Sequence, residues 1–235
     1  MSANDAAVFL NRGSLFYQKG ENEQALQDYN MAIQLNPNYA AAYMNRGVLF
    51  GQKGENEKAL QDYNIAIQLN PNYATSYYNR GNVFCQKGEN GKALKDYNMA
   101  IQLNPNQATA YMKRGNIFFL KGENEKALQD YQKALLLKPD HPLYVTNLGS
   151  LYFKEKQFSL ANIYFTKAQE SLDLINTNRY RNGIYLIQIL HILIKHLIYI
   201  EKLKIRYKQQ ILKLIIYLNK YKNRSLFYYR NKPSK

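Results

Sequence analysis

One spacing constrains this chain more than anything else in it. The string Asn-Arg-Gly starts at Asn11, Asn45 and Asn79, with Lys-Arg-Gly at Lys113 and Asn-Leu-Gly at Asn147, always in a step of 34 residues. Gly-Glu-Asn recurs in the same step at Gly20, Gly54, Gly88 and Gly122. Asn-Pro places Pro37, Pro71 and Pro105, and Pro139 falls in step with them. A fixed period of this length marks a stacked array whose units cannot bury their apolar faces alone. After a lead at 1–5, five units follow: 6–39, 40–73, 74–107, 108–141 and 142–175.

Each marker has a mechanical reason. Before Gly-Glu-Asn the apolar residues recur at three and four, as in Phe9, Leu10, Phe16 and Tyr17, which is helical spacing. Gly20 and its equivalents then end a first helix, because Gly takes the left-handed conformation without steric cost. Glu21 and Glu23 open a second helix, where carboxylates complement the positive end of the dipole. That helix runs through Ala25, Leu26, Tyr29, Ala32 and Ile33 and stops at Pro37, with Asn36 in the pre-proline position. Gly13, Gly47, Gly81, Gly115 and Gly149 lie inside first helices, where Gly costs ~1 kcal/mol against Ala. Its recurrence predicts close approach of the second helix at Ala25, Ala59, Ala93, Ala127 and Ala161.

This pattern resembles the tetratricopeptide repeat. Counting from Ala40, the family's positions 8, 11, 20, 24, 27 and 32 are Gly47, Phe50, Ala59, Tyr63, Ala66 and Pro71. Tyr43 stands at position 4, often Trp in the family, and Arg46 at position 7, usually Leu. Units one to four match closely. The fifth matches loosely, with Lys156 for the turn Gly and Asp173 for the Pro. The resemblance implies an all-α, right-handed superhelical solenoid of antiparallel helix pairs, with first helices lining a concave groove that holds a protein or peptide partner.

The family's groove positions carry two layers of residues here. One is an asparagine row: Asn11, Asn45, Asn79 and Asn147, broken by Lys113, with Asn82 and Asn116 nearby in the pattern. A carboxamide both donates and accepts, so a row could pair with an extended peptide backbone. The other reading is a set of surface asparagines copied by duplication. The second layer is apolar: Leu10, Tyr17, Met44, Val48, Tyr78, Cys85, Met112, Phe119, Leu143 and Phe153. An exposed stripe of that kind marks an interaction surface, although about half of it could be buried between units.

One family use can be checked directly. The clamp on acidic C-termini of heat-shock chaperones needs Lys at 5 and Asn at 9, then Asn at 6, then Lys at 2 and a cation at 6. The three starts read Leu10, Ser14, Asn45, Thr75, Asn79; then Met44, Val48, Asn79, Thr109, Lys113; then Tyr78, Asn82, Lys113, Leu143, Asn147. None supplies both cations, so a chaperone-tail clamp is not expected.

The net charge of +15 suggests nucleic acid until it is located. Residues 184–235 hold 12 Lys and Arg against one acid, Glu201, and so supply +11 of it. The repeats are nearly balanced, and no nucleic-acid module is recognisable, so that partner is not expected. From 176 onward the chain holds only a degenerate sixth start, with Gly183 at position 8, and then a basic tail rich in Ile, Lys and Tyr. Three readings of the tail stay open: a helix that caps or occupies the groove, a basic amphipathic helix on a membrane surface, or an unselected extension of the kind AT-rich DNA encodes out of frame. On the membrane reading the chain is an adaptor fragment whose tail supplies localisation.

Catalytic chemistry is not expected. Three histidines and the single Cys85 offer neither a zinc site nor a Cys-His nucleophile pair, and the glycines serve turns and packing. Glu55, Glu57 and Asp62 read as a solvated face of the second helix. No metal or cofactor is expected. The lone cysteine and the lack of a leader pattern fit a reducing, cytoplasmic setting.

Overall fold

A computed structural model describes residues 3–178. The sixth start at Gly183 and all three readings of the tail lie outside the described residues. Within them the chain forms ten helices and no strand: α1 (Ala3–Lys19), α2 (Asn22–Leu35), α3 (Ala40–Gln52), α4 (Asn56–Leu69), α5 (Ala74–Gln86), α6 (Asn90–Leu103), α7 (Ala108–Lys121), α8 (Asn124–Leu137), α9 (Pro142–Lys154) and α10 (Phe158–Asn178). Each expected unit is one helix pair. α1 begins inside the segment read as a lead, and α10 runs past the end expected at 175. The chain divides into two compact units, 1–138 and 139–235, so the first four pairs form one body and the fifth belongs to another.

The turns follow from their glycines and asparagines. Gly20, Gly54, Gly88 and Gly122 all have φ between +76° and +81°. The residue after each returns its N–H to a carbonyl five positions back, as in Glu55 N–H to Phe50 O at 2.9 Å, and this closes the first helix. In the fifth pair Lys156 holds the same conformation at φ 62° without glycine's freedom. Between pairs, Asn36 is extended before Pro37 and its Oδ1 accepts the Asn38 N–H at 3.1 Å. Asn70 and Asn104 repeat that turn, each bonding its own backbone two residues on.

Within each pair the helices meet where glycine stands opposite an aromatic ring. A Cβ placed on Gly47 would lie 2.8 Å from Cε1 of Tyr63 and 3.2 Å from Cβ of Asp62. The same holds at Gly13, Gly81 and Gly115 against Tyr29, Tyr97 and Tyr131, and at Gly149 against Phe165. The expected close approach to Ala25, Ala59, Ala93, Ala127 and Ala161 is therefore corrected: the glycines seat the ring at position 24. The alanines are buried beside that ring, as Ala59 is beside Tyr63.

In unit one the second helix of each pair also packs on the first helix of the next. Ala42 and Leu49 of α3 share a core cluster with Ala25, Tyr29 and Ala32 of α2. Val83 of α5 packs with Ala59 and Tyr63 of α4, and Ile117 of α7 with Ala93 and Tyr97 of α6. First helices also touch one another, α1 with α3 and α3 with α5, so they share one face.

Two glycine substitutions test this packing. Gly47→Ala should lower the urea midpoint, corresponding to about 1–3 kcal/mol, because a methyl is forced into the Tyr63 ring. Gly91→Ala, at an exposed site on α6 with nothing within 4 Å, should raise it by up to about 1 kcal/mol through helix propensity. Lys156→Gly should also stabilise, by about 1 kcal/mol, since it relieves a left-handed lysine.

Candidate functional site

The shared face of the first helices carries the asparagine row. Asn11 on α1 is exposed, and Asn45 on α3, Asn79 on α5 and Lys113 on α7 are half-buried. Asn45 Nδ2 donates to Ser14 Oγ of the preceding unit at 3.3 Å, and Asn79 Nδ2 lies 3.7 Å from Met44 Sδ, a weak acceptor. The row therefore ties consecutive first helices with its N–H groups. The carboxamide oxygens of Asn45 and Asn79 have no hydrogen-bond partner among the described residues, and neither has the Lys113 ammonium an acidic partner there. Met44 and Tyr78 lie half-buried on the same helices.

Several expected groove residues lie elsewhere. Leu10 and Met112 are buried, Leu10 in the cluster that joins Ala25, Tyr29 and Ala32 of its own pair to Ala42 and Leu49 of the next. Asn147 is buried too, and it belongs to the second compact unit. Phe153 is buried in that unit as well. Asn82 and Asn116 are half-buried, and each turns its oxygen inward: Asn82 Oδ1 accepts from Tyr97 O–H at 2.9 Å, and Asn116 Oδ1 from Tyr131 O–H at 2.8 Å. Asn116 Nδ2 is also 3.3 Å from Met112 Sδ. Position 9 thus anchors the tyrosine of the pair. Val48, half-buried at that position beside Tyr63, has no acceptor to offer. Burial pushes the phenols of Tyr63, Tyr97 and Tyr131 above their ordinary range, which keeps them neutral donors.

The largest revision concerns Asp62. It is 3 % exposed and so no part of a solvated face. Arg46 holds it with two parallel bonds, Nε to Oδ2 at 2.8 Å and Nη2 to Oδ1 at 2.7 Å. The remaining Nη1 donates to Asn30 Oδ1 of the preceding unit at 2.8 Å. Tyr43 and Phe50 flank the guanidinium, with centroids at 5.6 Å and 5.8 Å. The hydrogen bond to Asp62 holds the Arg46 guanidinium above its ordinary value. Arg80 joins Asp96 and Asn64 in the same way, and Arg114 joins Asp130 and Asn98. Glu57 does reach solvent, and it pairs with Lys87 of the next unit at 2.8 Å.

The fifth pair replaces the whole device. Leu148 stands at the arginine position and Tyr164 at the aspartate position, and Tyr164 stacks on Tyr152 with centroids 5.3 Å apart. Among the described residues no cluster of His, Cys, Asp or Glu could hold a metal ion. No described helix is long and apolar enough to cross a membrane.

A repeated helix pair, a glycine seat for a ring and a face of stacked first helices define a helical-repeat scaffold. A family model described as TPR repeat matches residues 13–54, 50–88, 81–122 and 115–156. The chain belongs to the tetratricopeptide-repeat family. Among solved structures, MamA is 25 % identical with a TM-score of 0.62, over 70 % of this chain and 96 % of that one. PilF of Pseudomonas aeruginosa is 20 % identical with a TM-score of 0.67, over 72 % and 77 %. YrrB, described as a TPR protein with an unusual peptide-binding site, is 24 % identical with a TM-score of 0.58, over 71 % and 86 %. No curated protein sequence matches the chain.

The Arg46–Asp62 pair can be tested by a double-mutant cycle. Arg46→Leu should destabilise the protein by about 3 kcal/mol, because a buried carboxylate loses its partner. Adding Asp62→Tyr, which installs the fifth pair's residues, should restore more than half of that loss in urea unfolding.

Proposed function

We propose that this protein is a non-catalytic scaffold that holds a polypeptide segment against the first-helix face of its first four repeats. The segment lies along the row Asn11, Asn45, Asn79 and Lys113, with its apolar side chains against Met44 and Tyr78. The observation that carries this reading is the pair of carboxamide oxygens at Asn45 and Asn79, half-buried, one repeat apart and without a partner among the described residues. A peptide backbone supplies N–H donors to such acceptors. Each bond nets about 0.5–1.5 kcal/mol, so affinity requires several in register. Lys113 adds a cation at one end of the row and suits a carboxylate or a carbonyl on the bound segment. YrrB, which shares the fold, is described as having an unusual peptide-binding site, and this supports a peptide as the class of ligand.

Affinity capture with the full chain provides the test. Bound proteins are quantified by mass spectrometry against the Asn45→Ala/Asn79→Ala variant. The variant should keep its helical circular dichroism and retain its partners about tenfold less well. Equal retention would sink the proposal.

A further inference from the structure

The outer side of α1 carries positions that repeats two to four keep covered. At position 3, Ala42, Ser76 and Ala110 are fully buried, whereas Val8 is 62 % exposed. At position 10, Leu49, Val83 and Ile117 are at most 3 % exposed, whereas Leu15 is 57 % exposed. At position 10 the cover is the preceding second helix, α2, α4 or α6, and at position 3 Ala42 shares the α2 cluster. The guanidinium follows the same rule. Arg46, Arg80 and Arg114 each give Nη1 to an asparagine of that preceding helix. Arg12 binds Asp28 through Nε and Nη2 at 2.7 Å, but its Nη1 has no acceptor among the described residues and its side chain is 55 % exposed.

We propose that this side of α1 is a docking site for one amphipathic helix of a partner polypeptide. The occupant's chemistry is read from the three internal copies. It presents small apolar side chains and an aromatic ring, spaced as Ala25, Tyr29 and Ala32 are on α2, to Val8 and Leu15. It places a carboxamide at the register of Asn64 to accept from Arg12 Nη1. An amide fits better than a carboxylate, because Asp28 already neutralises Arg12 and each internal acceptor is an asparagine. The surface is separate from the asparagine row, so each proposal can fail without the other.

The probe is a fluorescein-labelled peptide with the sequence of residues 55–70, helix-stapled through its solvent-facing positions. It is titrated with the full chain and followed by fluorescence anisotropy. Saturable binding is expected, weakened at least tenfold by Leu15→Lys, an exposed change that leaves the fold intact by circular dichroism. Asn64→Ala in the peptide should weaken binding severalfold, and Asn45→Ala/Asn79→Ala in the protein should leave it unchanged. Absence of saturable binding, or equal binding by Leu15→Lys, overturns the proposal. So does concentration-dependent self-association of the chain that Leu15→Lys abolishes, since it assigns the face to a second copy.

Discussion

The arrangement of the first four repeats rests on a buried carboxylate that cannot be left alone. Asp62 and its equivalents are driven inward because their Cβ atoms lie beside the glycine that admits the ring at position 24. A charge taken out of water needs a partner with matching geometry, and the planar guanidinium of the first helix provides one. Arg46 then does more than neutralise Asp62. It binds both helices of its own pair, reaches the preceding pair through Asn30, and fills the gap between Tyr43 and Phe50. One side chain thus couples packing inside a repeat to packing between repeats. The fifth pair lacks the carboxylate and the arginine together: Leu148 stands at the arginine position, and Tyr164 at the aspartate position stacks on Tyr152.

Most of the fold was legible because it depends on local rules applied at a fixed step. Gly20 and Gly54 stop helices for a backbone reason that needs no knowledge of the neighbours. Asn36 and Pro37 turn the chain for similar reasons. The family resemblance rested on small and large residues recurring at the family's own positions, as in Gly47, Phe50, Ala59, Tyr63, Ala66 and Pro71. Which atom each glycine faced was not legible, since Ala59 and Tyr63 are both on the second helix and spacing alone does not say which lies opposite Gly47. Asp62 was misread for the same reason: a carboxylate on an amphipathic helix looks solvated until the arginine facing it is known. The signal was present, because arginine at position 7 replaces the family's leucine in the same four units that carry aspartate at position 23.

The site was legible as a face and less so as a set of atoms. The residues at positions 5, 6 and 9 lie close together in sequence, and a small rotation decides which point into the core. Leu10 and Met112 point inward where Met44 and Tyr78 stay half-exposed. Asparagine is harder still, because its two ends are interchangeable in sequence and opposite in chemistry. Asn82 and Asn116 use the oxygen to hold a buried tyrosine, whereas Asn45 uses the nitrogen to hold the neighbouring helix and leaves its oxygen outward.

The near-identity of the joints between the first four repeats has a consequence for how such a chain can change over time. Each joint joins an asparagine on one second helix to an arginine on the next first helix, and each buries an apolar residue at position 10. Excising residues 74–107 would bring Asn64 opposite Arg114 and put Ala59 and Tyr63 against Ile117, a junction made of parts that already fit one another. Duplicating the same stretch would add a joint of the existing kind. The array can therefore lengthen or shorten by whole modules without inventing a new contact, and the reach of its recognition face becomes a quantity that recombination can adjust.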